Sequence, residues 1–348
     1  MTERKIPERA AKSPGKGHLG TAKKRTQAHG SANEAARFYY KGNRHKQLRA
    51  FVATVKLGTL SRAAEALYLS QPSVSLQLQA LERELGTALL ERRRRRINLT
   101  DAGEALYELA RPLVEGWDNL DRDFQAKVQG LTAGRLIIAA GTSTIQYLLP
   151  ELVRRYRERY PAVHLQLANV TGKDGMAMLR EDKADFAVGS MLDVPHDIAW
   201  APVRQYDPML ILPPGHPLAE KAEVALADLS PYGLILPPQR LSTYRQVDLV
   251  FQQNQVPYQV AIEVGGWDVI KEYVAMGLGI SIVTGICITD ADRERLVVRN
   301  MSRWFPQRSY GVVMRKGKFL SAEARAFIDL LRPGLVTRDY DEPGHSGR

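Results

Sequence analysis

Residues 48–103 place a short helix, a tight turn and a second helix directly before a run of arginines. We predict that the first helix begins at Ser61 and carries Ala63 and Ala64 on its inner side, where small residues let another helix cross closely. The second helix is predicted to open at Ser70, whose hydroxyl can cap free backbone N–H groups. Two short helices linked in this way predict a helix-turn-helix, and therefore DNA as a partner.

The second helix has two distinct faces. One face is an apolar stripe that packs on the rest of the domain. The other face combines amides and hydroxyls, which are able to contact base edges in the major groove. The alternative is an ordinary solvated polar face, which the helix-turn-helix context disfavours. The predicted apolar stripe is Val74, Leu78, Leu81 and Leu85, and the predicted polar side is Gln71, Pro72, Ser73, Ser75, Leu76, Gln77, Gln79 and Arg83.

Five consecutive arginines follow, between the apolar segments Leu89–Leu90 and Ile97–Leu99. A charged run flanked in this way suits a short hairpin, or wing, lying along phosphates. A solvated charge run or a localisation-type basic patch remains open as the alternative. The predicted phosphate contacts are Arg92, Arg93, Arg94, Arg95 and Arg96.

The net charge of +11 is concentrated in the first part of the chain. Residues 1–134 contain 24 Lys and Arg and 14 Asp and Glu, whereas the remaining residues contain 25 and 24. This distribution is typical of a nucleic-acid-binding module joined to a nearly neutral second module.

At this point the sequence resembles the LysR-type transcriptional regulators, through the segments LRAFVATVKLGTLSRAAEAL, SQPSVSLQLQALERELG, LLER and LTDAGE. The resemblance implies a winged helix-turn-helix, a long dimerising linker helix, a two-lobed effector domain and a homotetramer, with RNA polymerase left open as a further partner. It also implies that Leu76 stands where the family usually has Arg or Lys, so that base preference differs. By position, the residues that face the major groove are Gln71, Ser73, Ser75 and Gln79, the contacts near the DNA backbone are Ser61 and Arg62, and Pro72 is a further predicted DNA contact.

Two segments flank the DNA-binding domain, which we assign to residues 45–103. Residues 1–44, with 11 basic and 3 acidic residues, are predicted to be a disordered tail that adds phosphate affinity or reflects a start site placed too far upstream. Residues 104–132 are predicted to form a linker helix, kinked near Pro112, whose apolar seam pairs with a second chain. Intramolecular packing of that seam is the alternative. The seam is Leu106, Leu109, Leu113, Trp117, Leu120, Phe124 and Val128.

From Arg135 onwards, short apolar strands alternate with helices, which predicts α/β units. We expect an all-α N-terminal part followed, over residues 133–332, by a periplasmic-binding-protein-like domain of two α/β lobes. Lobe I is predicted to take about 133–205 and 306–332, lobe II about 206–305, with a crossover through Asp207–Pro214 and a tail at 333–348.

Hydroxyl-rich helix starts predict the effector site. Thr142, Ser143 and Thr144 follow the first strand, and Ser242 and Thr243 precede a helix in the second lobe. Free N–H groups and hydroxyls at such positions suit a carboxylate or another small oxyanion, although some of the hydroxyls are needed only as caps. Trp267 and Asp268, at the start of a further helix, complete the predicted effector contacts.

The segments ADFAVGS and DVIKEYVAMGLGISIV resemble the branch of the family that regulates cysteine biosynthesis and sulfur assimilation. The resemblance implies small amino-acid derivatives or sulfur oxyanions as effectors, with Ser143, Thr144 and Ser242 as matching contacts. Gly141 stands where that branch has threonine, and LPPQRLSTYRQ differs from its ligand loop.

Other classes of function find little support in the sequence. The histidines are scattered and Cys287 is the only cysteine, so we expect no metal, no cofactor and no disulfide, and a reducing cytoplasm. No apolar run is long enough to span a bilayer, so no membrane partner is expected. An enzyme fused to a DNA-binding domain would need paired catalytic groups, which we do not find, and an architectural DNA binder without an effector stays open.

Overall fold

The computed structural model describes residues 43–91, 97–131, 133–170 and 172–335. The chain divides after Val114 into two compact units. Within the described residues, no helix is long and apolar enough to cross a membrane.

The first unit is helical, with one small hairpin. The helix predicted to begin at Ser61 starts one residue earlier, because the side chain of Thr59 accepts a hydrogen bond from the Arg62 amide at 3.2 Å. The predicted Ser70 cap is confirmed, since its hydroxyl accepts from the Ser73 amide at 3.3 Å. The elements are α1 (Arg44–Leu57), α2 (Leu60–Ala66), α3 (Gln71–Leu85), the antiparallel pair β1 (Leu90–Glu91) and β2 (Asn98–Leu99), and the start of α4 (Asp101–Gln129).

The core of the first unit forms where α3 packs on α1 and α2. The predicted stripe on α3 is buried at Val74, Leu78 and Leu81. Leu85 is 41% exposed, so its assignment to the stripe was wrong, because Gly86 ends the helix in a left-handed conformation directly after it. The predicted wing arginines Arg92–Arg96 lie outside the described residues, between the two strands of the hairpin.

Helix α4 continues through Pro112 without a break in its assignment, and the kink expected there stays a prediction. Beyond Leu106, which is half-buried, the side chains of the predicted seam are between 54% and 70% exposed. A different side of α4 holds Glu115 and Asp123, which pair with Arg315 at 3.2 Å and with Arg325 at 3.8 Å. The residues of α4 from Glu115 onwards therefore contact lobe I through polar groups and leave the seam uncovered.

Lobe I contains a five-stranded sheet. In their order across the sheet, the strands are β4 (Val163–Asn169), β3 (Gly134–Ala140), β5 (Phe186–Gly189), β12 (Arg308–Arg315) and β6 (Ile198–Tyr206). Strands β4, β3 and β5 are parallel, and β12 runs antiparallel to its neighbours β5 and β6. The aromatic side chains of Tyr156, Phe186 and Phe327 are fully buried in its core. The elements are β3 (Gly134–Ala140), a π-helix (Thr144–Leu148), α5 (Leu149–Arg159), β4 (Val163–Asn169), α6 (Gly172–Arg180), β5 (Phe186–Gly189), β6 (Ile198–Tyr206), β12 (Arg308–Arg315) and α10 (Ala322–Leu331).

Lobe II contains the chain between β6 and β12. Its central strand β7 (Pro208–Leu212) pairs antiparallel with β10 (Ser281–Thr284) and β11 (Val297–Asn300). Strand β8 (Gly233–Leu236) pairs parallel with β9 (Gln259–Glu263) and forms a single bridge to Ile280. Most of the segment predicted as a crossover, Asp207–Pro214, is thus a strand with buried Leu210, Ile211 and Leu212. The elements are β7 (Pro208–Leu212), β8 (Gly233–Leu236), α7 (Ser242–Gln253), β9 (Gln259–Glu263), α8 (Trp267–Ala275), β10 (Ser281–Thr284), α9 (Asp290–Arg295) and β11 (Val297–Asn300).

Asp207 joins the two chain passages between the lobes. It lies between β6 and β7, and its carboxylate accepts hydrogen bonds from three side chains at 2.7–3.0 Å. The donors are Asn300, at the end of β11, and Ser302 and Gln307, between β11 and β12. These hydrogen bonds, the one from Gln307 foremost, hold the pKa of Asp207 below its usual value. One carboxylate therefore links the chain where it enters lobe II to the segment where it leaves that lobe.

Candidate DNA interface and effector cleft

The polar side of α3 is exposed and internally hydrogen-bonded. Gln71, Pro72 and Gln79 are exposed, whereas Ser73 and Ser75 are half-buried. The exposed hydroxyl of Ser61 on α2 donates to Gln71 Oε1 at 3.2 Å, the Ser70 and Ser73 hydroxyls lie 2.8 Å apart, and Gln79 Nε2 donates to Ser75 Oγ at 3.4 Å. The structure thus brings the predicted major-groove residues onto one surface, beside exposed Arg62.

Leu76 lies in the middle of this surface and is 63% exposed. An apolar side chain is able to contact a thymine methyl group but offers no donor to a phosphate or to guanine. The surface therefore combines amide and hydroxyl groups with one apolar contact.

The predicted effector residues of lobe I do not all share one environment. Thr142 is exposed and donates its hydroxyl to Asn169 Oδ1 at 3.2 Å, and Ser143 is half-buried. Thr144 is only 3% exposed, because it begins a π-helix that turns its side chain towards the interior. Only Thr142 and Ser143 thus offer hydroxyls at the surface of this turn.

Asp268 connects the two lobes. Its carboxylate accepts hydrogen bonds from Tyr147 Oη at 2.5 Å and from Gln146 Nε2, both on the π-helix of lobe I. It also pairs with Lys271 Nζ at 3.1 Å. Burial opposes ionisation, but the hydrogen bonds from Tyr147, Gln146 and Lys271 outweigh it and lower the pKa of Asp268.

A buried ion pair lies behind this connection. Lys271 Nζ donates to Asp292 Oδ2 at 2.8 Å and to the Cys287 carbonyl at 2.9 Å, and both charged groups are almost fully buried. The Cys287 thiol donates to the Thr284 carbonyl at 3.1 Å, and burial raises the pKa of that thiol to about 12. Cys287 is therefore a neutral packing residue at physiological pH.

Arg308, like Tyr147, belongs to this junction although no sequence motif indicates it. It is the first residue of β12, and its Nε donates to Ser190 Oγ at 3.2 Å in lobe I. Its Nη1 donates to Thr243 Oγ1 at 2.7 Å and its Nη2 to Ser242 Oγ, at the start of α7 in lobe II. Burial lowers the pKa of this guanidinium. The predicted residues Ser242 and Thr243 thus come together around a cation that no motif had indicated.

Other groups at this junction have structural roles. Trp267 is half-buried and packs against the main apolar cluster of the second unit. Across the described ranges, no group of His, Cys, Asp and Glu side chains is arranged to hold a metal ion.

Comparison with known proteins agrees with both halves of this description. Residues 45–104 match the family of bacterial regulatory helix-turn-helix proteins of the lysR family, and residues 129–335 match the LysR substrate binding domain. The chain is 30% identical to the HTH-type transcriptional regulator SsuR of Burkholderia cenocepacia, over 79% of this chain and 90% of SsuR. It is 28% identical to the RuBisCO operon transcriptional regulator of Allochromatium vinosum, over 82% of this chain and 94% of that regulator.

Among solved structures, the cofactor-binding domain of the Cbl transcriptional regulator is similar, with a TM-score of 0.56 and 25% identity. It covers 61% of this chain and 95% of that domain. Fold, surface chemistry and relatives define a DNA-binding transcriptional regulator with an effector-binding domain, a class that is not enzymatic. The chain belongs to the LysR family.

Proposed function

We propose that this regulator binds promoter DNA as an oligomer and that a small anionic metabolite, bound where the two lobes meet, changes that binding. The observation that carries the proposal is that side chains of lobe I, Tyr147 and Arg308, hydrogen-bond to Asp268, Ser242 and Thr243 of lobe II. A polar ligand is able to replace such contacts, and so to shift the balance between two lobe arrangements.

On the DNA side, the polar surface of α3 contacts base edges in the major groove and Ser61 and Arg62 lie against the backbone. The wing arginines Arg92–Arg96 contact phosphates. The support is the exposure and mutual hydrogen bonding of the α3 side chains, because donors and acceptors held in place suit direct readout. The proposed base-reading set is Gln71, Ser73, Ser75 and Gln79, with Pro72 as a further DNA contact.

Self-association uses the apolar seam of α4. Six large side chains along one stripe remain exposed while a different side of the helix binds lobe I through ion pairs. A second copy burying this stripe gives a dimer, and pairs of dimers give a tetramer that matches a two-fold symmetric operator.

The effector contacts are proposed at both sides of the lobe junction. A ligand controls DNA binding only if it binds two lobe arrangements with different affinity, which requires contacts from both lobes. The proposed set is Thr142 and Ser143 from lobe I and Ser242, Thr243, Trp267 and Asp268 from lobe II. Thr144, also predicted as a contact, is 3% exposed and contacts a ligand only if the π-helix rearranges.

The most specific part of the proposal is a link to sulfur or cysteine metabolism. It rests on the resemblance of the segment that contains α8 to the family branch that regulates cysteine biosynthesis and sulfur assimilation. Sequence identity does not distinguish between possible target genes, because the chain is 30% identical to SsuR and 28% identical to the RuBisCO operon regulator. We further propose a cytoplasmic location, with RNA polymerase as a partner at the promoter.

A second candidate is an architectural DNA binder without an effector. One observation favours it, since the cavity at Arg308 holds about 20 Å³, which is room for a single water molecule. A gel shift with the promoter region beside the gene separates the two. The regulator should retain specific binding at roughly 150 mM salt, whereas uniform binding that salt abolishes would favour the architectural role.

The same assay tests the α3 surface. Gln79→Ala should weaken specific binding by about 1–3 kcal/mol and leave binding to unrelated DNA unchanged. The matched control is Gln125→Ala on α4, which is exposed and distant in sequence from α3. Equal effects of the two substitutions would remove Gln79 from the proposed interface.

A further inference from the structure

Arg308 is a partly buried cation whose side-chain hydrogen-bond partners are all neutral. Its hydrogen bonds go to the hydroxyls of Ser190, Ser242 and Thr243. Among the described residues, no carboxylate lies within ion-pairing distance of its guanidinium, whereas Lys271 in the same unit has Asp292 at 2.8 Å. A desolvated charge held by hydroxyls alone lacks the compensation that buried ions normally have.

The geometry of the guanidinium suits one class of ligand. Its planar fork has five N–H donors and matches a carboxylate, sulfate or sulfonate with two parallel hydrogen bonds. Two of its nitrogens, Nη1 and Nη2, currently donate to Thr243 and Ser242. These hydroxyls thus occupy the two positions from which Arg308 would bind an oxyanion.

We propose that Arg308 binds the oxyanion group of the effector, and that this group displaces the hydroxyls of Ser242 and Thr243 from the guanidinium. In the wider effector set given above, these two residues then hold Arg308 while no ligand is bound and give up that contact when the ligand binds. The inference rests on the proposed effector-dependent function and adds to it the residue that selects for negative charge.

Displacement follows from the space available. The cavity beside Arg308 has a volume of about 20 Å³ and is lined by Thr243, Gln246, Thr284 and Pro306, among others. Because this space admits one water molecule, a metabolite enters only when the start of α7 moves away from β12. Since β12 belongs to lobe I and α7 to lobe II, binding at Arg308 changes the contact between the lobes.

The test is calorimetry on the full chain at constant ionic strength, with chloride as the background anion. The probes are sulfate, thiosulfate, O-acetylserine and N-acetylserine, which separate sulfur oxyanions from carboxylates. Arg308→Lys keeps the charge but removes the fork and should weaken binding roughly tenfold or more. Arg308→Gln should abolish it. Arg204→Gln is the control, because Arg204 is an exposed arginine on the neighbouring strand β6.

Displacement has its own variant. Ser242→Ala combined with Thr243→Val removes the competing hydroxyls, so the oxyanion should bind more tightly than to the wild type. Weaker or unchanged binding to this variant would overturn displacement, and weaker binding would leave the two hydroxyls as direct ligand contacts within the wider effector set. Circular dichroism establishes whether each variant is folded. If Arg308→Gln does not fold, the comparison of Arg308→Lys with the wild type decides the test.

Two further results would overturn the assignment of Arg308. One is saturable binding that is unchanged in Arg308→Lys. The other is absence of binding by all four probes in a wild-type chain that still binds its promoter specifically. In that case the DNA-binding part of the proposed function stands and the oxyanion site falls, whereas loss of specific promoter binding in the wild type would refute the regulator itself.

Discussion

Tyr147 and Asp268 lie on different lobes, and the phenol oxygen of the first is 2.5 Å from a carboxylate oxygen of the second. The π-helix that carries Tyr147 therefore contacts the first turn of α8 directly. Arg308 and the start of α7 form a further polar connection between the lobes.

Replacing Tyr147 by Phe removes one of three hydrogen-bond partners of Asp268. We expect the free energy of unfolding to fall by about 1 kcal/mol, because the side chain of Asp268 is 55% exposed and water replaces part of the lost interaction. All four tryptophans, Trp117, Trp200, Trp267 and Trp304, lie in the second unit, so urea unfolding followed by their fluorescence measures that unit. Tyr273→Phe on α8 is the control, and equal losses in both variants would contradict the expectation.

The buried pair of Lys271 and Asp292 should dominate the stability of lobe II. Lys271→Met leaves the buried Asp292 with only the longer contact to the partly exposed Arg295, at 3.6 Å, and should cost about 3 kcal/mol. Adding Asp292→Asn to Lys271→Met should recover part of this loss, because no unpaired charge then remains. The same urea titration measures all three variants, and a loss below about 1 kcal/mol in the single variant would show that the pair is not energetically coupled.

The same pair predicts a pH dependence. Burial opposes ionisation of Asp292, but the hydrogen bonds from Lys271 and Thr289 outweigh it and lower its pKa in the folded state. A carboxylate whose folded pKa is depressed contributes stability above its unfolded pKa of about 3.9 and loses that contribution as the pH falls through the folded value. The stability difference between wild type and Asp292→Asn should therefore shrink as the pH falls below about 4. A difference that grows with acidity would contradict this sign.

The α4 seam predicts the oligomeric state. Leu120→Glu places a charge in the middle of the exposed stripe and should shift the chain towards monomer in sedimentation velocity, because a buried unpaired charge opposes association. Gln125→Glu adds the same charge to α4 outside the stripe and should leave association unchanged. An oligomer that withstands Leu120→Glu would place the interface elsewhere.

Leu76 predicts an altered base preference. Leu76→Arg adds a donor at the centre of the α3 surface and should raise affinity for DNA, with a salt dependence steeper by about one counterion. Selection from a randomised operator library should then show guanine enriched at the contacted position. An unchanged operator profile would show that position 76 does not face the bases.

Much of this fold could be predicted because periodicity and capping are local. The stripe Val74–Leu81 and the cap at Ser70 follow from spacing alone. The exposure of Leu85 could not be predicted, because burial of the last turn of a helix depends on how the chain beyond Gly86 packs against it. The strand Ile198–Tyr206 was missed because its alternation is irregular at the register shift opposite Tyr310 and Gly311.

The polar contacts at the lobe junction were only partly predictable, for a different reason. Ser242, Thr243 and Asp268 were singled out because hydroxyl and acidic residues at helix starts have a local signature, and their contact with an effector stays a prediction. Arg308 has no such signature, since its role depends on the meeting of β12 and α7, which are more than fifty residues apart in the chain. Tyr147 was missed in the same way, because its partner Asp268 belongs to the other lobe.

The most direct test of the account is the affinity and footprint of the regulator on the promoter beside its gene, with and without a saturating oxyanion ligand. The ligand is whichever of sulfate, thiosulfate, O-acetylserine and N-acetylserine binds in calorimetry. We expect the ligand to change promoter affinity or footprint length in the wild type and in Arg204→Gln, to act on Arg308→Lys only at roughly tenfold higher concentration, and to have no effect in Arg308→Gln. A ligand that binds at the lobe junction and leaves promoter affinity and footprint unchanged would contradict it.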